Sequence, residues 1–167
     1  MISYLERLRR ELEDAVAGAS AEELAKAPAG KWSGSQILEH LLLTYKGTNR
    51  ILAKCMEQGA PLATRATLGQ RVGAFLVVKL GYMPAGRKAP ERVMPQGMTP
   101  EEVRQAISPE IETMAAKLDE CEHRFGRRTK IMDHLFLGPL TAEEWRRFHW
   151  VHGQHHARQI RERRSRV

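Results

Sequence analysis

Apolar positions recur along this chain with a period near 3.6 residues, and that period predicts helices over most of its length. Tyr4, Leu5, Leu8, Leu12 and Val16 form one stripe, giving a first helix over residues 3–17 that Gly18 ends. Ser20 and Glu23 make a capping box ahead of a short helical segment reaching Lys26. A second long helix starts near Ser33 and stops at Gln58, before Gly59-Ala60-Pro61. Its expected inner face is Ile37, His40, Leu41, Thr44, Thr48, Ile51 and Cys55. A third helix covers residues 68–80, and a Pro- and Gly-rich loop follows to Gly97. Thr99 as cap, Pro100 at the first helical position and Glu102 mark the start of a fourth helix, which ends near His123. Thr141 and Glu144 open the fifth, which runs to about Arg163. Strand signals are nearly absent: there is no sustained two-residue alternation and no Asn-Gly or Asp-Gly turn. The predicted fold is all-α, an antiparallel four-helix bundle with short extra helices, in one domain over residues 1–167.

Composition narrows the setting. A chain of 167 residues can build a core without staples. Its two cysteines, Cys55 and Cys121, form no disulfide framework and no CxxC unit, which points to a reduced, cytoplasmic environment. The N-terminal stretch has no long apolar run and reads as no signal peptide, and no segment approaches the ~20 apolar residues of a membrane helix, so no membrane partner is expected. The net charge of +7 raises the question of nucleic acid. Much of the excess sits in Arg158, Arg161, Arg163, Arg164 and Arg166, with a second group at Arg124, Arg127, Arg128 and Lys130. Neither group is interleaved with stacking aromatics, so a solvated helix end favoured by its dipole is the preferred reading over a nucleic-acid surface.

The chemistry concentrates in the last long helix, His149-Trp150-Val151-His152-Gly153-Gln154-His155-His156. At 100° per residue, Trp145, Phe148, His149, His152, His156 and Gln159 fall within about 120° of arc and should face the core. Trp150, Arg158 and Arg161 fall on the opposite side, and His155 at the edge. Buried imidazoles need partners for their nitrogens, and a metal ion satisfies several at once. His152 and His156 stand one turn apart, and His40 lies on the inner face of another helix, so the three can meet between facing helices roughly 8–10 Å apart. Histidine-only ligation suits zinc, nickel, copper or iron, and three protein ligands leave a position open for water or substrate. His149 is an alternative ligand. No HExxH motif exists, because Gly153 stands where its glutamate would be, and no phosphate loop or nucleophile elbow is present.

Two segments carry a resemblance: Trp32-Ser33-x3-Ile37-x2-His40-Leu41, and Trp150-Val151-His152-x3-His156-x2-Gln159-Ile160. With the stretch from His134 through Gly138-Pro139-Leu140-Thr141 to Trp145, they are similar to the DinB-like superfamily of bacterial four-helix bundles, which includes YfiT-like metal-dependent proteins. The resemblance in helical order covers nearly the whole chain, and its motifs about a quarter. It implies one divalent ion, usually zinc or nickel, held by His40, His152 and His156. Some members transfer a low-molecular-weight thiol to small-molecule substrates; others have no known activity. Where the motif often continues with a further histidine or a leucine-rich stretch, this chain has Ala157-Arg158.

Several residues keep alternatives. His134 is a fourth ligand, a proton shuttle or a turn former. Cys55 lies roughly 22 Å along the helix from His40 and is expected in the core, as is Cys121. Trp32 packs at the start of its helix or lines the site, and Glu39, about 100° round from His40, is expected to be exposed. The loop from Gly81 to Gly97, with Tyr82, Arg87, Lys88 and Arg92, is positioned by its charge to cover an anionic cosubstrate. An outward Trp150 is either a local packing residue or an interface anchor, and a homodimer is expected. Two function classes stay open: a metal-dependent thiol S-transferase acting on small electrophiles, and a non-catalytic metal-binding stress-response module. No catalytic acid or base is assigned.

Overall fold

In the computed structural model, which describes residues 2–84, 86 and 88–165, the helical periods become α1 (Tyr4–Val16), α2 (Ala21–Ala25), α3 (Gly34–Gln58), α4 (Leu68–Ala74), α5 (Pro100–Phe125) and α6 (Ala142–Arg164). Arg87 and Arg166 lie outside the described residues. The helix starts follow from local chemistry. Ser20, Ser33, Thr67, Thr99 and Thr141 each close a capping box with the Glu or Gln three residues on, satisfying amides that the first turn leaves without partners. The third predicted helix is α4 continued by a π-helical turn, Phe75–Lys79, and the following loop contains a 3-10 turn, Glu91–Val93.

The first described helix packs along the last one, and α3 packs along α5. Both α3 and α6 bury residues almost all round: Leu38, Leu42, Tyr45 and Leu52 on α3 are as inaccessible as Ile37 and Leu41. Ile51, expected inside, lies at the rim with 36 % of its surface exposed. The core side chains come from all four long helices, including Leu5, Leu8 and Leu12, Ile111, Met114 and Leu118, and Trp145 and Ile160. Among the described residues, no helix is long and apolar enough to cross a membrane.

Three expectations need correcting. The chain is mostly helical, not wholly so: β1 (Met132–His134) and β2 (Gly138–Leu140) pair antiparallel, with Met132 opposite Leu140. Strands of three residues are too short for alternation to register, and the turn is set by His134 and by Gly138 at φ +67° instead of an Asn-Gly pair. Trp150 is not outward. Its indole is 8 % exposed and lies under the Arg7 guanidinium of α1, 4.5 Å away, so the argument for a dimer from an exposed Trp150 falls. The C-terminal arginines are also not simply solvated. Arg161 pairs with Glu11, Arg163 donates to the Trp32 carbonyl, and Arg164 donates to the carbonyls of Ala15 and Ala17 at the end of α1. Arg161 and Arg164 hold the end of α6 against the end of α1, where the last carbonyls lack intrahelical donors, and Arg163 ties it to the start of α3.

Candidate metal centre

Helix α3 and helix α6 bring His40, His152 and His156 together. The ligand-capable nitrogens of the three all lie within 4.8 Å of one another. The four-residue spacing on α6 sets His152 Nε2 3.0 Å from His156 Nε2, with the rings at 82°. The His40 ring centroid is 5.5 Å from that of His152 and 5.0 Å from that of His156. Two nitrogens on a tetrahedral zinc, each at about 2.05 Å, would be roughly 3.3 Å apart. The His152–His156 pair already lies near that span, and the His40 nitrogen lies within 4.8 Å of both.

The outer nitrogens support the same arrangement. His40 Nδ1–H donates to the Val93 carbonyl at 2.9 Å, leaving Nε2 as a lone-pair donor. His156 Nδ1–H donates to Gln159 Oε1 at 2.8 Å, which likewise leaves Nε2 unprotonated. Gln159 in turn donates to His155 Nε2, so His155, at the edge of the arc, supports the site from outside. These tautomers are assigned from the hydrogen-bond network, and partners of this kind fix ring orientation around a metal. His152 Nδ1 is inaccessible and lacks a hydrogen-bond partner, although the residue as a whole keeps some exposed surface. The donor set is therefore three neutral imidazoles, which fits a borderline divalent ion such as zinc or nickel.

Electrostatics keeps them neutral. Burial pushes His40 below the ordinary histidine value, partly opposed by its bond to Val93. Burial pushes His156 down to about 3, with the neighbouring His40 adding to the shift. His152 is held well below its ordinary value by burial and then by His156 and His40. A ligand set that resists protonation in this way stays competent at neutral pH. Phe148 stacks on His152 at 5.5 Å, and Trp32 sits 5.3 Å from His40, so Trp32 lines the site.

The remaining sequence candidates separate from this cluster. His149 is fully buried and is not part of the cluster: its Nε2 meets Thr48 Oγ1 at 3.2 Å, and its ring contacts those of Tyr45 and Trp145. Burial lowers it to about 3. His134 acts as a turn former, its Nδ1 accepting the Phe136 and Leu137 amides at 3.2 Å. Cys55 and Cys121 are buried thiols. Glu39 departs most from expectation. It is 1 % exposed and accepts the amides of Gln96, Gly97 and Met98 at 2.7, 3.1 and 3.2 Å. The angular offset from His40 is as expected, but the direction it points is covered by the loop, whose fold no sequence period announces.

Neither a curated protein nor a solved structure matches the chain. A family model does, over residues 8–163, which is nearly the whole length. The chain thus belongs to DUF1569, a family of proteins of unknown function.

Proposed function

We propose that this chain is a DinB-like four-helix bundle whose His40, His152 and His156 bind one divalent metal ion, zinc or nickel. The observation that carries the reading is the convergence of three neutral imidazoles from two helices within 4.8 Å. A lone buried histidine is satisfied by one or two hydrogen bonds, whereas three Nε2 atoms turned toward each other repel as lone pairs unless a proton or a cation sits among them. The bundle reading is supported by four long helices among the described residues, with core side chains on each.

The reaction class we propose is transfer of a low-molecular-weight thiol to a small electrophile. When bound, the ion would hold a thiol as its thiolate at neutral pH, and thiolate is the nucleophilic form. The three histidines carry no charge to cancel that of a cation, so they favour an anion as its further partner. Trp32 and Phe148 flank the imidazoles with apolar surface. The exposed cations Lys88 and Arg92 of the loop lie in sequence beside Val93, which touches His40 through its carbonyl, and they attract a carboxylate-bearing thiol.

The second reading is a metal-binding stress-response module without turnover. A cleft of about 470 Å³ in this structure is lined by Arg71, Phe75, Lys79 and Leu137 among others, and by none of the three histidines. Elemental analysis of purified protein should find one equivalent of metal, lost on His152→Ala or His156→Ala. Full occupancy in the double variant would refute the site. With the metal established, thiol conjugation to an aromatic electrophile, compared between metal-loaded and metal-free protein, separates the two readings. No metal-dependent acceleration with any cellular thiol leaves the binding module.

A further inference from the structure

Two consecutive residues of α3 grip the same short stretch of chain. Glu39 holds three successive amides, those of Gln96, Gly97 and Met98, just before the cap of α5. His40, the next residue, holds the Val93 carbonyl three positions upstream of Gln96. The stretch 93–98 is therefore fastened at one end by a carboxylate and at the other by an imidazole of the candidate metal centre. Val93 itself is 9 % exposed, and it is the last residue of the 3-10 turn Glu91–Val93.

The two fastenings are unequal. Three amides on one carboxylate are charge-assisted bonds, roughly twice as strong as neutral ones. Lifting the stretch away would leave a buried carboxylate without donors, which is costly. The single imidazole–carbonyl bond has no such hold of its own. Glu39 thus keeps the Val93 carbonyl in place, and that carbonyl decides which nitrogen of His40 carries the proton. With Nδ1–H donated to Val93, Nε2 offers its lone pair toward His152 and His156. Without the carbonyl, His40 distributes its proton over both nitrogens and its ring loses its fixed orientation.

We infer that Glu39 is a positioning residue for the metal centre: by latching residues 96–98 it presents the Val93 carbonyl to His40, and so couples docking of this loop to metal binding. The inference rests on the metal reading above. Coupling of this kind is reciprocal, so metal should also tighten the loop.

The test uses the full-length protein, Co²⁺ as the metal probe, and two variants. Glu39→Gln keeps the shape and removes the charge. Gly97→Ala loosens the latch from the loop side, because Gly97 sits at φ +96°, where a side chain is strained, and an added Cβ there meets nothing within 4 Å, so it alters no histidine contact directly. In metal-free wild type, ¹⁵N NMR should show His40 as the Nδ1–H tautomer, and hydrogen exchange should show protected amides at 96–98. Both variants should lose that protection and mix the tautomers. Glu39→Gln should weaken Co²⁺ binding about tenfold, the usual scale for a partner one shell out, and Gly97→Ala should weaken it in the same direction. In wild type, Co²⁺ should slow exchange at 96–98 further. If wild type binds no Co²⁺, the metal reading fails and takes this inference with it. If wild type binds Co²⁺ while both variants bind it equally well with an unchanged His40 tautomer, the metal reading stands and the inference is overturned.

Discussion

At Gly153 the side chain of Leu8 on α1 leaves no room on α6 for a Cβ, and Gly153→Ala tests that packing. A Cβ built there would lie 2.0 Å from Leu8 Cδ1, 3.4 Å from Leu8 Cγ and 3.6 Å from Tyr45 Oη. Carbon atoms in contact sit about 3.5–4.0 Å apart, so the overlap with Leu8 is about 1.5 Å or more. Leu8 is fully buried and has no open side to turn toward, so relief requires an off-rotamer side chain or a shift of α1. Overpacking of this sort costs about 1–3 kcal/mol. Against it stands the helix propensity of Ala over Gly, worth about 1 kcal/mol. Gly47→Ala supplies the control: it lies within α3, and an added Cβ there meets nothing within 4 Å, so only the propensity term acts. Urea unfolding should show Gly47→Ala more stable than wild type by up to about 1 kcal/mol. Gly153→Ala should fall below Gly47→Ala by about 1–3 kcal/mol, with a shift in the fluorescence of neighbouring Trp150. Equal stabilisation by the two variants would refute the close approach of α1 and α6.

Two further outcomes follow from burial. His149 is held at about 3 in the fold against an ordinary value of 6.5, so the unfolded chain binds the extra proton between those limits. Its contribution to stability is complete above pH 6.5 and is lost as the pH falls toward 3, at about 1.4 kcal/mol per pH unit. In metal-free protein, the slope of urea stability against pH between 6 and 4 should shrink by about one proton in His149→Gln; an unchanged slope would exclude a neutral buried imidazole. Cys121 is pushed up to about 11 by burial and Cys55 is raised in the same way. Native protein should therefore react slowly with a thiol reagent, and both thiols should appear at once on unfolding; rapid labelling of native protein would contradict the packing.

Much of the fold is legible in the sequence because it is written in local chemistry. The caps at Ser20, Thr99 and Thr141 need only residues three apart, and each opens a helix where expected. The spacing of His152 and His156 likewise needs only the helix itself to bring their nitrogens together. What failed to show depended on partners distant in the chain. Trp150 reads as outward on an isolated helical wheel, but α6 is covered on that side by α1, whose Arg7 lies over the indole. Glu39 reads as exposed for the same reason, since the amides it holds begin 57 positions away. The start of α4 at Leu68 also falls where the sequence places it, with Thr67 and Gln70 closing the capping box. The β1–β2 hairpin had no comparable signal, its turn being organised by a histidine side chain.

The clasp between the first and last described helices has a consequence for biosynthesis. Arg164 grips carbonyls of Ala15 and Ala17, and Arg161 grips Glu11, across about 150 positions of chain. During translation α1 emerges well before α6, so the face it packs on α6 lacks that partner until α6 has left the ribosome. The imidazoles from α3 and α6 cannot meet before that moment either. Closure of this fold therefore depends on contacts between segments far apart in the chain, which slows folding relative to bundles of sequential hairpins. The waiting α1 stripe is the surface a nascent-chain chaperone would cover.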